Sequence, residues 1–167
     1  LAHAVEASGF APELLELEIT ESVLMNDTDL ALECLAQWKR LGVRIAVDDF
    51  GTGYSGLSYL SRLPVDRLKM DKSLIRGMTI ASRDVTIVRA VIGLGRELGI
   101  TVLAEGVETM EQLSMLRDLG CQQAQGFLFS EPKCAEETRE ALRARWGVRS
   151  PVPRRPTPRS YNASARV

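Results

Sequence analysis

The sequence predicts an α/β fold built around a parallel sheet, and three observations point to it. A phrase recurs as Arg40-Leu41-Gly42-Val43, Glu97-Leu98-Gly99-Ile100 and Asp118-Leu119-Gly120-Cys121. Each copy follows an amphipathic segment and precedes an apolar run, as a glycine just past a helix end does when it leads into a buried strand. Apolar runs of strand length, at residues 14–19, 43–48, 65–70, 100–105 and 121–128, alternate with helical patterns, which is the signature of parallel βα units. Finally, Glu18, Asp48, Lys69, Glu105 and Gln125 all fall at or near the carboxyl end of one of these runs.

Taken in order, the helix before Gly42 carries Leu30, Cys34, Leu35, Trp38 and Leu41 on one face. The strand that follows (Val43, Ile45, Val47) stops at two adjacent carboxylates, Asp48 and Asp49, and a Gly-rich turn. Neighbouring strand residues face opposite ways, so Asp49 reaches the same region as Asp48 only if the chain turns at once, which Gly51 and Gly53 allow. Two such carboxylates repel each other, and a divalent cation is the economical partner. The strand at 65–70 brings Lys69, either to orient a water or offset phosphoryl charge, or to form a salt bridge with Asp71 or a neighbouring acid. The helix before Gly99 has Val85, Val88, Val91, Ile92 and Leu98; the next opens with a capping box, Thr109-x-x-Gln112, and carries Leu113, Leu116 and Leu119. In a (β/α)8 barrel, and equally at the switch point of an open sheet, the carboxyl ends of the strands gather on one face. Any one of the five polar groups taken alone reads better as a surface residue at a strand end; all five in register point to a site. Residues 147–167 are Pro- and Arg-rich without periodicity and are expected to be a disordered tail, leaving 1–146 as the domain.

At 167 residues and 45% hydrophobic content, the chain is the size of one domain with an adequate core. The net charge of -1 conceals an asymmetry: residues 147–167 hold five arginines and no acid, and the remainder has 16 basic against 22 acidic side chains. An acidic body argues against nucleic-acid binding, and an anionic substrate would need metal ions or a local lysine. Cys34, Cys121 and Cys134 lack zinc-site spacing and read as thiols of a reducing compartment, the cytoplasm. No apolar run approaches the roughly 18 residues of a membrane span. Leu1 is not an initiator methionine, so a longer parent chain is expected, which could itself be membrane-anchored.

Gly51-Thr52-Gly53-Tyr54-Ser55-Gly56 also matches the dinucleotide fingerprint G-x-G-x-x-G, with Asp71 near the position of a ribose-binding acid. Asp48 and Asp49 immediately before it would repel a pyrophosphate, and the segment before Pro64 is too short for the crossing helix. Metal-assisted phosphodiester hydrolysis suits the groups better: two ions about 3.5 to 4 Å apart clamp the attacking and leaving oxygens and acidify a bridging water, with Asp48 as the natural bridge.

Glu18-Ile19-Thr20-Glu21, Asp48-Asp49-Phe50-Gly51-Thr52-Gly53-Tyr54-Ser55, Lys69-Met70-Asp71, Glu105-Gly106-Val107-Glu108 and Gln125-Gly126-Phe127 resemble, in order and spacing, the later motifs of the EAL-domain family of cyclic di-GMP phosphodiesterases. The resemblance covers nearly all of residues 1–146. It implies a (β/α)8 TIM-like barrel, of which this chain supplies roughly the last five βα units, and hydrolysis of cyclic di-GMP to linear pGpG. It further implies two divalent cations, Mg2+ or Mn2+, held by Glu18, Asp48, Asp49 and Glu105, with Lys69 positioning the hydrolytic water. Gln125 would lie in the substrate site, Glu21 would steady the Asp49–Ser55 loop, and that loop would join a homodimer. Sensor or diguanylate-cyclase domains would belong to the parent chain. The family's Glu-Ala-Leu motif and a metal-binding Asn have no counterpart here, so the chain alone is expected to be inactive and poorly folded. The competing expectation is a catalytically silent module that binds cyclic di-GMP or a protein.

Overall fold

A computed structural model describes residues 1–26, 28–51, 60–78 and 82–146. It divides into two compact units, Leu1–Glu131 and Pro132–Val167. The first contains α1 (Ala2–Ser8), a 3-10 turn (Pro12–Leu14), β1 (Glu16–Thr20), α2 (Glu21–Asn26), α3 (Thr28–Arg40), β2 (Arg44–Phe50) and β3 (Arg67–Met70). It continues with α4 (Lys72–Arg76), α5 (Arg83–Leu98), β4 (Thr101–Ala104), α6 (Met110–Asp118) and β5 (Gln123–Ala124). The second unit contributes α7 (Ala135–Trp146). The tail expected over 147–167 lies outside the described residues.

All five strands are parallel, and their spatial order is their chain order, β1-β2-β3-β4-β5. Sequence alone left a barrel and an open doubly wound sheet as alternatives; a sheet wound in one direction has no switch point, so the order favours the barrel-type winding. The predicted helix-glycine-strand unit is present three times, with Gly42, Gly99 and Gly120 at φ 88°, 70° and 80°. The capping box on α6 forms as predicted, the Thr109 hydroxyl accepting from Gln112 N and the Gln112 carboxamide oxygen accepting from Thr109 N.

One sheet face carries Ile45, Val47, Phe50, Leu68, Met70, Val102 and Ala104, which join Leu35, Val88, Ile92 and Leu116 from the helices in a single apolar core. The strand period of two then turns Asp48 and Lys69 to the other face. At the amino end of that face Arg67 and Glu16 pair at 2.6 Å. Nearby, Asp66 binds Lys39 Nζ at 2.7 and 2.8 Å and accepts from Ile45 N at 2.8 Å, tying the β2 entry to α3.

Two expectations need correction. The strand at 121–128 contracts to Gln123–Ala124, because the chain turns over Phe127–Phe129 after Gly126. The apolar face of α3 is only partly in the core: Leu35 is fully buried and Trp38 packs against the core half-buried, whereas Leu30 is exposed, and with Cys34 these residues line a groove of about 640 Å3 beside Ile19 and Val23.

Candidate active site

The polar strand ends meet as the sequence predicts, and Lys69 is the residue they meet on. It sits on β3, the middle strand, with a side chain only 7% exposed. Its Nζ lies 2.8 Å from Glu18 Oε2 on β1, 2.9 Å from Asp48 Oδ1 on β2 and 3.0 Å from Glu105 Oε1 just past β4. Gln125, just past β5, donates from Nε2 to the same Glu105 oxygen at 2.7 Å. The five positions are as far apart in sequence as 18 and 125; parallel register alone brings them together, through Thr20 opposite Asp48, Lys69 opposite Leu103 and Ala104 opposite Ala124.

Of the two salt-bridge alternatives for Lys69, the one to a neighbouring acid is present, three times over, and the one to Asp71 is not. Asp71 instead caps α4, accepting from Ser73 N at 2.8 Å, and this bond holds its carboxyl below the usual aspartate range.

Asp49 reaches its position by a different device from the one expected. The β2–β3 register shifts between Val47 and Phe50, and Asp49 itself takes the left-handed backbone at φ 54°. This is a bulge that re-aims a side chain at a sheet rim. The sequence assigned that turn to Gly51 and Gly53; Gly51 does follow at φ 96°, while Gly53 lies outside the described residues. Glu21, 4% exposed, offers Oε2 to Gly51 N at 3.4 Å, at the start of the loop it was expected to steady. The rest of that loop, Thr52–Ser55, lies outside the described residues.

Electrostatically the site is unbalanced. Burial works against the Lys69 ammonium, but its contacts with Glu18, Asp48 and Glu105 outweigh burial and hold its pKa above the ordinary lysine value. Burial pushes the Glu105 carboxyl up; Lys69 pulls it down, and the charges of Asp48 and Glu18 add to the upward push. One ammonium against three carboxylates leaves two negative charges in excess. Among the described residues, Asp48 Oδ1 is buried yet accepts no hydrogen bond of regular geometry, so its approach to Nζ is an ion contact. No three acid, histidine or cysteine side chains among the described residues already surround a metal-sized space. The ammonium fills the space between them.

Sequence reasoning missed the glycines that lock this corner. A Cβ on Gly126 would fall 2.2 Å from Val107 O and 2.3 Å from Val107 N, and one on Gly106 would fall 2.5 Å from Lys72 Cβ. The close approach lets Val107 N donate to Gln125 O and Leu128 N to Val107 O, both at 3.0 Å, which docks Gln125 against Glu105. The legible signal was a glycine directly after each of Glu105 and Gln125.

A singly wound parallel sheet with an acidic, lysine-centred cluster at its carboxyl edge defines a barrel-type α/β protein with a strand-end site. The EAL domain family matches residues 1–132, and the chain belongs to that family. It is 46% identical over 142 residues to the cyclic di-GMP phosphodiesterase NbdA of Pseudomonas aeruginosa, covering 85% of this chain and 18% of that protein. Among solved structures it resembles the PaMucR phosphodiesterase in complex with c-di-GMP, with a TM-score of 0.78, 46% identity, and coverage of 81% of this chain and 55% of that one. It also resembles Klebsiella pneumoniae BlrP1 in a manganese and cyclic di-GMP complex, with a TM-score of 0.73, 40% identity, and coverage of 78% and 33%. The chain thus spans about a fifth of NbdA and about half of the PaMucR structure. Among the described residues, no helix is long and apolar enough to cross a membrane.

Proposed function

We propose that this chain carries the acidic half-site of a metal-dependent phosphodiesterase that opens cyclic di-GMP to linear pGpG. The observation that carries the reading is the convergence of Glu18, Asp48 and Glu105 on the buried Lys69, with negative charge in excess. Glu18, Asp48, Asp49 and Glu105 would hold two divalent cations. The donor chemistry fits them: every candidate ligand is a carboxylate, the hard oxygen donor that Mg2+, Mn2+ and Ca2+ prefer, and Asp48 Oδ1 is buried without a hydrogen bond of regular geometry. When bound, such ions supply an acidified water and a clamp on the scissile phosphodiester. Manganese and calcium complexes of the relative BlrP1 support the assignment.

The chain's own residues do the rest. Asp48, near the carboxyl end of β2, would be the carboxylate shared by the two ions. Lys69, anchored on the rigid middle strand, holds an ammonium where it orients the attacking water and offsets phosphoryl charge. Gln125 presents its amide beside Glu105 and serves as a substrate contact. Glu21, by holding Gly51 N, steadies the entry to the loop from Asp49 to Ser55. A homodimer through that loop, fused sensor or diguanylate-cyclase domains and a cytoplasmic site of action belong to the same proposal. The bifunctional relative MucR, 47% identical over 137 residues, supports the fused arrangement.

The experiment separates chemistry from binding at Lys69. In the intact protein that contains this chain, Lys69→Ala is expected to lower kcat by orders of magnitude while cyclic di-GMP affinity stays within a few fold, because the ammonium matters most as charge develops in the transition state. A collapse of affinity would make Lys69 a substrate anchor. A second reading, a module that binds cyclic di-GMP without cleaving it, draws on the ammonium filling the carboxylate cluster; wild-type binding with no turnover in any metal would establish it instead.

A further inference from the structure

The oxygens that would hold the cations are the same oxygens that hold Lys69. Glu18, Asp48 and Glu105 each place one oxygen 2.8 to 3.0 Å from Nζ, so one ammonium is the shared counter-charge of three carboxylates. The cluster is therefore spaced around an ammonium, at hydrogen-bond distances, and not around a metal ion, whose oxygen ligands stand at about 2.0 to 2.6 Å. No three acidic side chains among the described residues are gathered tightly enough to take an ion as they stand. Lys69 has little freedom to be elsewhere, since its side chain is 7% exposed and its neighbours Leu68 and Met70 are fully buried.

We infer that Lys69 is a built-in counter-ion, which keeps the carboxylate cluster assembled without metal and competes with the divalent cation for the same three oxygens. A divalent cation held by Glu18, Asp48 and Glu105 would take the oxygens that now pair with Lys69, and the ammonium would then be available to a water. Lys69 thereby sets how tightly the metal binds, a role separate from any in the chemical step. The inference rests on the metal assignment proposed above and goes beyond it.

The test is direct Mn2+ titration of the intact protein that contains this chain, with free Mn2+ followed by electron paramagnetic resonance, alongside thermal melts in chelator and in Mn2+. Lys69→Met, which keeps the length and removes the charge, should bind Mn2+ about tenfold tighter or more, because a positive charge at the centre of the site is gone. In chelator it should melt below wild type, with three carboxylates left facing one another, and Mn2+ should raise its melting temperature more than that of wild type. Lys69→Arg, which keeps the charge, should retain the weaker wild-type affinity within a few fold. Should Lys69→Met fold only when Mn2+ is present, that too is the expected behaviour; should it fold in neither condition, Lys69→Gln takes its place in the same titration. Mn2+ affinity in the neutral variant equal to or weaker than wild type overturns the competition while leaving the metal site intact. Absence of Mn2+ binding to wild type and neutral variant alike overturns the inference together with the metal assignment.

Discussion

Gly126→Ala is the substitution whose cost the geometry fixes most closely. The new Cβ would fall 2.2 Å from Val107 O, 2.3 Å from Val107 N and 2.8 Å from Val107 C, all backbone atoms that cannot swing aside. Gly126 also stands at φ 154°, where L residues are rarely found. Overpacking of a tight contact costs about 1 to 3 kcal/mol, and the strained backbone roughly another 1 to 3. The sum, about 2 to 6 kcal/mol, is a large share of the roughly 5 to 15 kcal/mol that stabilises an ordinary domain. At a few degrees per kcal/mol, the melting temperature should fall by about 10 °C or more. Relief would come by moving Gln125 away from Glu105, which also breaks the 2.7 Å amide to carboxylate bond. Gly93→Ala is the matched control, since that glycine lies inside α5 with nothing within 4 Å of the added Cβ and should gain about 0.5 to 1 kcal/mol. Thermal melts of the two variants beside wild type are the assay. A Gly126→Ala protein melting within a degree or so of wild type would refute the claim that this close approach holds the Gln125 corner together.

Two further outcomes follow from the same geometry. Asp49→Asn and Asp49→Gly should melt close to wild type but lose metal-dependent hydrolysis, whereas Asp49→Val should also lose about 1 to 2 kcal/mol in a denaturant titration, because a β-branched residue fits poorly at φ 54°. Asp71→Ala removes the cap of α4 and should cost about 1 kcal/mol at neutral pH. Since the folded state depresses the Asp71 pKa, that contribution is present above the ordinary aspartate value of 3.8 and is lost as pH falls through the lower folded value; the gap between variant and wild type in denaturant titrations should therefore close in acid.

How much of this was legible in the sequence depended on what kind of physics wrote it. Gly42, Gly99 and Gly120 mark helix ends because the left-handed backbone there excludes most other residues, so the βα rhythm could be read directly. The clustering of Glu18, Asp48, Lys69, Glu105 and Gln125 could be read from their shared place at strand ends. Which of them touch could not: Glu18 and Glu105 both reach Lys69 only through the lateral order β1-β2-β3-β4, which no local pattern encodes. The left-handed Asp49 was hidden for the opposite reason, since two glycines close by offered a cheaper site for the turn and the bulge is set by pairing with β3. β5 was overestimated because Phe127 and Leu128 extend an apolar run; tertiary contact with Val107 ends the strand at Ala124 regardless.

The central claim is that the Lys69-centred carboxylates belong to a metal-dependent phosphodiesterase site. The most direct measurement is cyclic di-GMP hydrolysis by the intact protein that contains this chain, followed chromatographically as pGpG, in chelator and after return of Mn2+, for wild type and Asp48→Asn. The expected result is turnover by wild type only when Mn2+ is returned, and a loss of several orders of magnitude in Asp48→Asn under the same conditions. Near-normal pGpG formation by Asp48→Asn, or by wild type in chelator, would contradict it.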